Sequence, residues 1–132
     1  MKISIILPAK NEAEGLRRTL PALAAVLPGA EVIVVDDGST DETADVARAS
    51  GARVLSSPYS MGNGAAIKRG ARAASHEVIV FMDADGQHDP AQIPGLLARL
   101  DAGYDMVVGA RDGSGQASVG RSLANRLYNR LA

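Results

Sequence analysis

Short apolar runs alternating with segments of helical period constrain this chain more than any other feature. Residues 3–7, 32–35, 78–82 and 106–108 are β-branched-rich or apolar throughout, and each run is closed by Pro, Gly or Asp. Runs of this length and uniformity read as strands buried on both faces. Helical periodicity fills the intervals at 12–26, 41–49, 64–74 and 91–100. Strand followed by helix, repeated, predicts an α/β fold: a mostly parallel central sheet with helices on both faces. A weaker strand is expected at 53–56, because Gly51 ends the helix before it and Ser57-Pro58 opens a loop. Helix starts are signalled by Ser39-Thr40-Asp41-Glu42 and by Asp89-Pro90, a capping residue followed by proline at the first helical position. The Gly- and Ser-rich residues 112–118 read as a loop, and 119–131 as a last helix with Leu123, Leu127 and Leu131 on one stripe.

The chain has 132 residues, enough for one domain, and a domain of this size buries roughly two-thirds of the surface its unfolded chain exposes. No repeat or second domain is evident, so residues 1–132 are read as a single unit. A net charge of −1, with basic residues scattered among acidic ones, argues against nucleic acid as a partner. There are no cysteines, so any metal must be held by oxygen or by the two histidines. No stretch approaches the roughly 18 apolar residues of a membrane-spanning helix, and the N-terminal run is too short for a signal-peptide core. A cytoplasmic protein is expected, with any membrane attachment peripheral.

The strongest chemical feature is Asp83-Ala84-Asp85 at the end of an apolar run, followed by Gln87, His88 and Asp89. Strand period two would point Asp83 and Asp85 the same way. Two like charges on one face call for a hard cation between them, with phosphate oxygens as its other ligands, so Mg²⁺ or Mn²⁺ is implied. The plainer alternative is a polar strand end with Asp89 as a helix cap, and for His88 an ordinary turn residue. A second run, 32–35, leads into Asp36-Asp37-Gly38-Ser39, where a carboxylate beyond a strand's carboxyl end can accept hydrogen bonds from a base or a ribose. The same tetrapeptide also suits a turn. A third places Lys10, Asn11 and Glu12 after the first strand, with Asn11 as a helix cap in the simpler reading. Gly62-Asn63-Gly64 ahead of a helix is a weak phosphate signal and equally a tight turn. No Gly-x-x-x-x-Gly-Lys-Ser/Thr loop is present, which disfavours an ordinary ATPase or GTPase.

Taken together, LPAKNE (7–12), VVDDGSTD (34–41), GNGAAIKRG (62–70), MDADGQHDP (82–90) and DMVVGAR (105–111) resemble the family 2 glycosyltransferases of GT-A fold. Within that family the resemblance is to the polyprenyl- or dolichol-phosphate mannosyl- and glucosyltransferases, and it covers nearly the whole chain. It implies a Rossmann-like donor domain that transfers a sugar from a nucleotide diphosphate, of GDP-mannose or UDP-glucose type, to a lipid phosphate with inversion. By the same resemblance Pro8, Lys10, Glu12, Val35 and Asp37 surround the nucleoside, although the family often has an aromatic residue where Lys10 stands. Asp83, Ala84 and Asp85 match the Asp-x-Asp motif, and Gln87 matches a further metal-ligand position. Arg111 and Arg121 match basic positions facing the diphosphate or the acceptor phosphate, and Asp85 and Arg111 are the residues expected to act in catalysis; a surface role is the alternative for Arg121. Relatives of this kind continue past the last helix with an acceptor-side segment, so the chain is expected to be a fragment or a minimal relative. An uncovered sheet edge favours a homo-oligomer. Two other functions compete: a nucleotide-binding module without turnover, and a sugar nucleotidyltransferase, which should carry a Gly-rich turn where Leu7-Pro8-Ala9-Lys10 stands.

Overall fold

The structure is a computed structural model and describes residues 2–85 and 89–101. Four strands, β1 (Ile3–Ala9), β2 (Glu31–Asp37), β3 (Arg53–Ser57) and β4 (Val78–Phe81), form one sheet in the order β3-β2-β1-β4. Every pairing is parallel. Helices α1 (Ala13–Val26), α2 (Thr43–Ala49) and α3 (Asn63–Ala73) connect the strands, and a 3₁₀ turn at Pro90–Gln92 leads into α4 (Ile93–Asp101). The α/β architecture with a parallel sheet is the one the alternating sequence pattern predicts. The expected strand at 106–108 and helix at 119–131 lie outside the described residues.

Alternation along β1 sorts the core into two layers. Ile5, Leu7 and Ala9 pack with Leu16, Leu20 and Leu23 of α1, Ala47 of α2 and Ile93 of α4. On the opposite face Ile6 joins Ile33, Val35, Phe81 and Ala66 of α3. Both faces are therefore covered, which is why β1, β2 and β4 read as mainly apolar runs without regular polar alternation.

Three local details differ from the sequence expectation. β4 ends at Phe81, although Met82 N–H still donates to the Ile6 carbonyl at 3.0 Å, and Ala84-Asp85 is a turn. Helix α2 begins at Thr43, two residues after the expected 41, with Glu42 at the N-cap position making no side-chain cap; Asp41 before it accepts from Thr43 N–H through Oδ1 at 2.9 Å. Asn11 does not cap α1. It adopts φ 53°, a left-handed conformation that Asn tolerates, and its Oδ1 accepts from Thr40 N–H at 2.8 Å and Asp41 N–H at 3.3 Å. Asp89 caps as expected, accepting from Ala91 N–H at 3.0 Å with Pro90 next in line.

The connections position the site. The chain adds β2 and β3 outward from β1, then α3 carries it back so that β4 pairs on β1's other side. Loops after β1 and β4 thus diverge at a crevice where the strand order reverses, the place where open α/β sheets bind ligands.

Candidate functional site

A pocket of about 320 Å³ opens at that crevice. Pro8, Ala9, Lys10 and Glu12 line it from the β1–α1 connection, and Asp83, Ala84 and Asp85 line it from the end of β4. Asp37 closes it from β2, while Ser60, Gly62, Asn63 and Ala66 come from the β3–α3 loop and the start of α3. Seven residues singled out from sequence, Pro8, Lys10, Glu12, Asp37, Asp83, Ala84 and Asp85, therefore share one cavity. Val35 does not line it; its side chain is buried on the α3 face of the sheet. Gln87, Arg111 and Arg121 lie outside the described residues.

Asp83 and Asp85 meet at the pocket because a turn follows β4, where the sequence reading invoked the pleat of a continuing strand. That turn is seated directly on α1. A Cβ built on Gly15 would stand 2.1 Å from the Ala84 carbonyl oxygen and 2.9 Å from Asp85 Cα, so only glycine lets the helix come this close. Arg18 of α1 adds a long hydrogen bond, 3.4 Å, to the Asp85 carbonyl oxygen.

The β1–α1 and β2–α2 loops are laced together. Ser39 Oγ accepts from Asn11 N–H at 2.8 Å, Thr43 Oγ1 accepts from Glu12 N–H at 2.9 Å, and Asp41 Oδ2 accepts from Ala13 N–H at 3.3 Å. Thr43 is fully buried and its hydroxyl donates in turn to Asp41 Oδ1. These bonds satisfy the N–H groups at the start of α1, which has no side-chain cap of its own. They also hold Lys10 and Glu12 at the pocket wall. Thr43 bonding to Asp41 is the foremost cause that keeps the Asp41 carboxyl below its ordinary value, against a smaller opposing effect of burial.

Asp37 is 7% exposed and makes three hydrogen bonds to the β3–α3 loop. Its Oδ1 accepts from Met61 N–H at 2.7 Å; its Oδ2 accepts from the Ser60 hydroxyl at 2.9 Å and Gly62 N–H at 3.1 Å. Burial pushes this carboxyl up, but the three donors and the Lys10 ammonium together outweigh it and hold the group ionised, below its ordinary value. Gly38, at φ 74°, lets the loop pass within reach, since a Cβ there would meet the Tyr59 carbonyl carbon at 2.5 Å.

Among the described residues the lining of the cavity is mostly acidic: four carboxylates, Glu12, Asp37, Asp83 and Asp85, and one ammonium, Lys10. A divalent cation between Asp83, Asp85 and phosphate oxygens would let these carboxylates and a diphosphate share the cavity. No group of three His, Cys, Asp or Glu side chains forms a shell among the described residues, so a cation here would depend on ligand oxygens to complete its coordination. That donor set, carboxylates with phosphate oxygens, fits Mg²⁺ or Mn²⁺.

Sequence reasoning missed Ser60 and Ala66 as wall residues, and Gly15 and Arg18 as supports of the Asp83–Asp85 turn. Only the lone Gly62-Asn63-Gly64 signal pointed toward the β3–α3 loop.

Comparison with known proteins agrees with this geometry. Residues 4–131 match the profile of Glycosyl transferase family 2. An uncharacterised glycosyltransferase of Mycobacterium bovis is 42% identical over 110 residues, 83% of this chain and 48% of the relative. An undecaprenyl-phosphate 4-deoxy-4-formamido-L-arabinose transferase of Enterobacter sp. is 39% identical over 142 residues, 98% of this chain and 42% of the relative. Among solved structures, glucosyl-3-phosphoglycerate synthase of Mycobacterium tuberculosis, in complex with Mn²⁺ and UDP-glucose, superposes with a TM-score of 0.66 at 36% identity, covering 77% of this chain and 40% of that one. The same enzyme with Mn²⁺, UDP and glucosyl-3-phosphoglycerate gives a TM-score of 0.66 at 37% identity, covering 75% of this chain and 39% of that one. The chain thus spans less than half the length of these relatives. With its motifs, its parallel sheet and these similarities, the chain belongs to glycosyl transferase family 2.

Proposed function

We propose that residues 1–132 form the donor-binding domain of a metal-dependent glycosyltransferase that moves a sugar from a nucleotide diphosphate to a lipid phosphate, with inversion. The observation that carries the reading is the single switch-point pocket that gathers Lys10, Glu12 and Asp37 opposite Asp83 and Asp85. The Mn²⁺ and UDP-glucose in the complexes of glucosyl-3-phosphoglycerate synthase support a UDP-sugar, with GDP-mannose as the alternative donor. The undecaprenyl-phosphate transferases support the lipid phosphate, an acceptor that would bring the chain to a membrane surface. Among the described residues no helix is long and apolar enough to cross a membrane.

In this reading Pro8, Lys10, Glu12 and Asp37 hold the nucleoside, and Asp83 and Asp85 hold the metal beside the diphosphate, with Gln87 as a further ligand. Bound there, Mg²⁺ or Mn²⁺ offsets the charge that grows on the departing nucleotide diphosphate. Arg111 and Arg121 are assigned to the same charge, from the diphosphate or the acceptor side. A phosphate acceptor is already ionised, so no general base is required of the chain.

Calorimetric titration of UDP and GDP, with and without Mn²⁺, tests the reading against an Asp83→Ala, Asp85→Ala double variant. Mn²⁺-dependent binding of one nucleotide, lost in the variant, is expected. Binding that ignores both the metal and the two substitutions would overturn it.

A further inference from the structure

Behind the donor pocket, between α3 and the carboxyl ends of β2 and β3, lies a second cavity of about 320 Å³. Val35, Ala65, Ala66 and Met61 supply its apolar wall, and Lys68 and Arg72 stand over it. The two cavities share Asp37 and Ala66 and are otherwise lined by different residues.

Among the described residues charge at this second cavity is net positive, with Lys68, Arg69 and Arg72 against the single carboxylate of Asp37. Helix α3 carries Lys68, Arg69 and Arg72 and not one acidic residue. Lys68 and Arg72 stand four residues apart on one helix face, a like-charge pair that disfavours an isolated helix. Among the described residues neither makes a hydrogen bond or an ion pair. Among the described residues Arg69 is bonded only to neutral acceptors, the Ser56 carbonyl oxygen at 2.8 Å and Ser57 Oγ at 3.0 Å, and has no counterion. Asp37, the one carboxylate in the wall, accepts from Ser60, Met61 and Gly62 in the loop that divides the cavities.

Apolar wall and cationic rim together select a ligand with an unsaturated or aliphatic body and an anionic head. The volume, near the lower end for small-molecule pockets, sets its scale at a small soluble metabolite. We propose that this cavity is a second ligand site, distinct from the donor pocket, for a small organic phosphate whose head pairs with Lys68 and Arg72 and whose body rests on Val35, Ala65 and Met61.

Phenyl phosphate is the probe, titrated into the ¹⁵N-labelled chain in the presence of a metal chelator, with inorganic phosphate and phenol as comparators. Saturable amide shifts at Met61, Ala65, Lys68 and Arg72 are expected, with phenyl phosphate binding tighter than either comparator. In a Lys68→Ala, Arg72→Ala double variant its affinity should fall about tenfold or more, because two charge-assisted contacts are lost. Titration of UDP with Mn²⁺ into that variant should match the parent chain, which shows the fold intact and keeps this test separate from the donor reading. Shifts confined to Lys10, Glu12 and Asp83, or equal weak responses to phenyl phosphate and inorganic phosphate, would overturn the proposal. So would anionic phospholipid vesicles perturbing Tyr59 and Met61 where phenyl phosphate does not, an outcome that would assign the patch to a membrane surface.

Discussion

Replacing Gly15 with alanine sets two physical effects against each other at one position. Within a helix, Gly→Ala ordinarily stabilises by about 0.5–1 kcal/mol, because the unfolded chain loses freedom. Here the new methyl would sit 2.1 Å from the Ala84 carbonyl oxygen and 2.8 Å from the Asp85 carbonyl carbon. A comfortable carbon contact is about 3.5 Å, so helix and turn must separate by about 1 Å. Both sides of the contact are backbone, which has no rotamer to yield, and overpacking of this kind costs about 1–3 kcal/mol. The net expectation is a loss of up to about 2 kcal/mol, or a fall in Tm of several degrees by calorimetry for a domain of this size. The same displacement moves Asp85, so Mn²⁺-dependent nucleotide binding should weaken by about tenfold or more, as when the support of a metal ligand is removed. Gly95→Ala is the internal control: it too lies in a helix, α4, but a Cβ there meets nothing within 4 Å. If Gly15→Ala raises Tm as Gly95→Ala should and leaves Mn²⁺-dependent binding unchanged, α1 does not set the Asp83–Asp85 turn.

Two further perturbations follow from buried polar groups. Thr19 of α1 is buried with its hydroxyl unpartnered, so Thr19→Val, which keeps the shape and removes the hydroxyl, should stabilise by about 1 kcal/mol in urea unfolding; a loss of stability would mean that the hydroxyl has a partner after all. Acid should destabilise the chain through Asp37, Asp41 and Glu31, whose carboxyls are all held below their ordinary values in the folded state. Hydrogen bonds from Ser75 N–H, Ser4 and Ser75 lower Glu31 against the opposing effect of burial. Because the folded pKa values lie below the unfolded ones, this stability is present above the unfolded value of about 4 and is lost as pH falls through the folded values. Glu31→Gln should flatten that acid limb in pH-dependent urea unfolding, and an unchanged limb would remove Glu31 from the account.

The sheet was legible in the sequence because burial on both faces leaves short, mainly apolar runs, as at Ile3 to Leu7 where Ser4 alone is polar, and their length and closing Pro, Gly or Asp favour strand over buried helix. Helix starts were legible to within two residues, since Asp41 and Asp89 mark by residue type alone where backbone N–H groups at a helix start find an acceptor, Asp89 as the cap itself. Tertiary partnership was not. Asn11 carries the same local signal whether it caps its own helix or braces the loop after β2, and only the fold decides that its Oδ1 faces Thr40 and Asp41. Gly15 looked like an ordinary interruption of a helical pattern, because the Ala84 carbonyl oxygen it makes room for is distant in sequence. Asp83 and Asp85 were placed together for an incomplete reason: the pleat ends at Phe81, and a turn seated on α1 delivers both to the cavity. Val35 packs against α3 and lines the neighbouring cavity, not the donor pocket, although Asp37, two residues on along the same strand, reaches both.

Asp37 already uses most of its capacity in the state seen here. A carboxylate offers about four acceptor positions, and the donors of Ser60, Met61 and Gly62 occupy three of them. A nucleoside that needs two hydrogen bonds from this group must take at least one from the loop. Nucleotide binding and loop position then become competing claims on the same lone pairs. Apparent affinity for the nucleotide would be scaled by the fraction of molecules in which the loop has let go. Substitutions at Ser60 would accordingly tighten nucleotide binding without touching the nucleotide, by making the released loop more common.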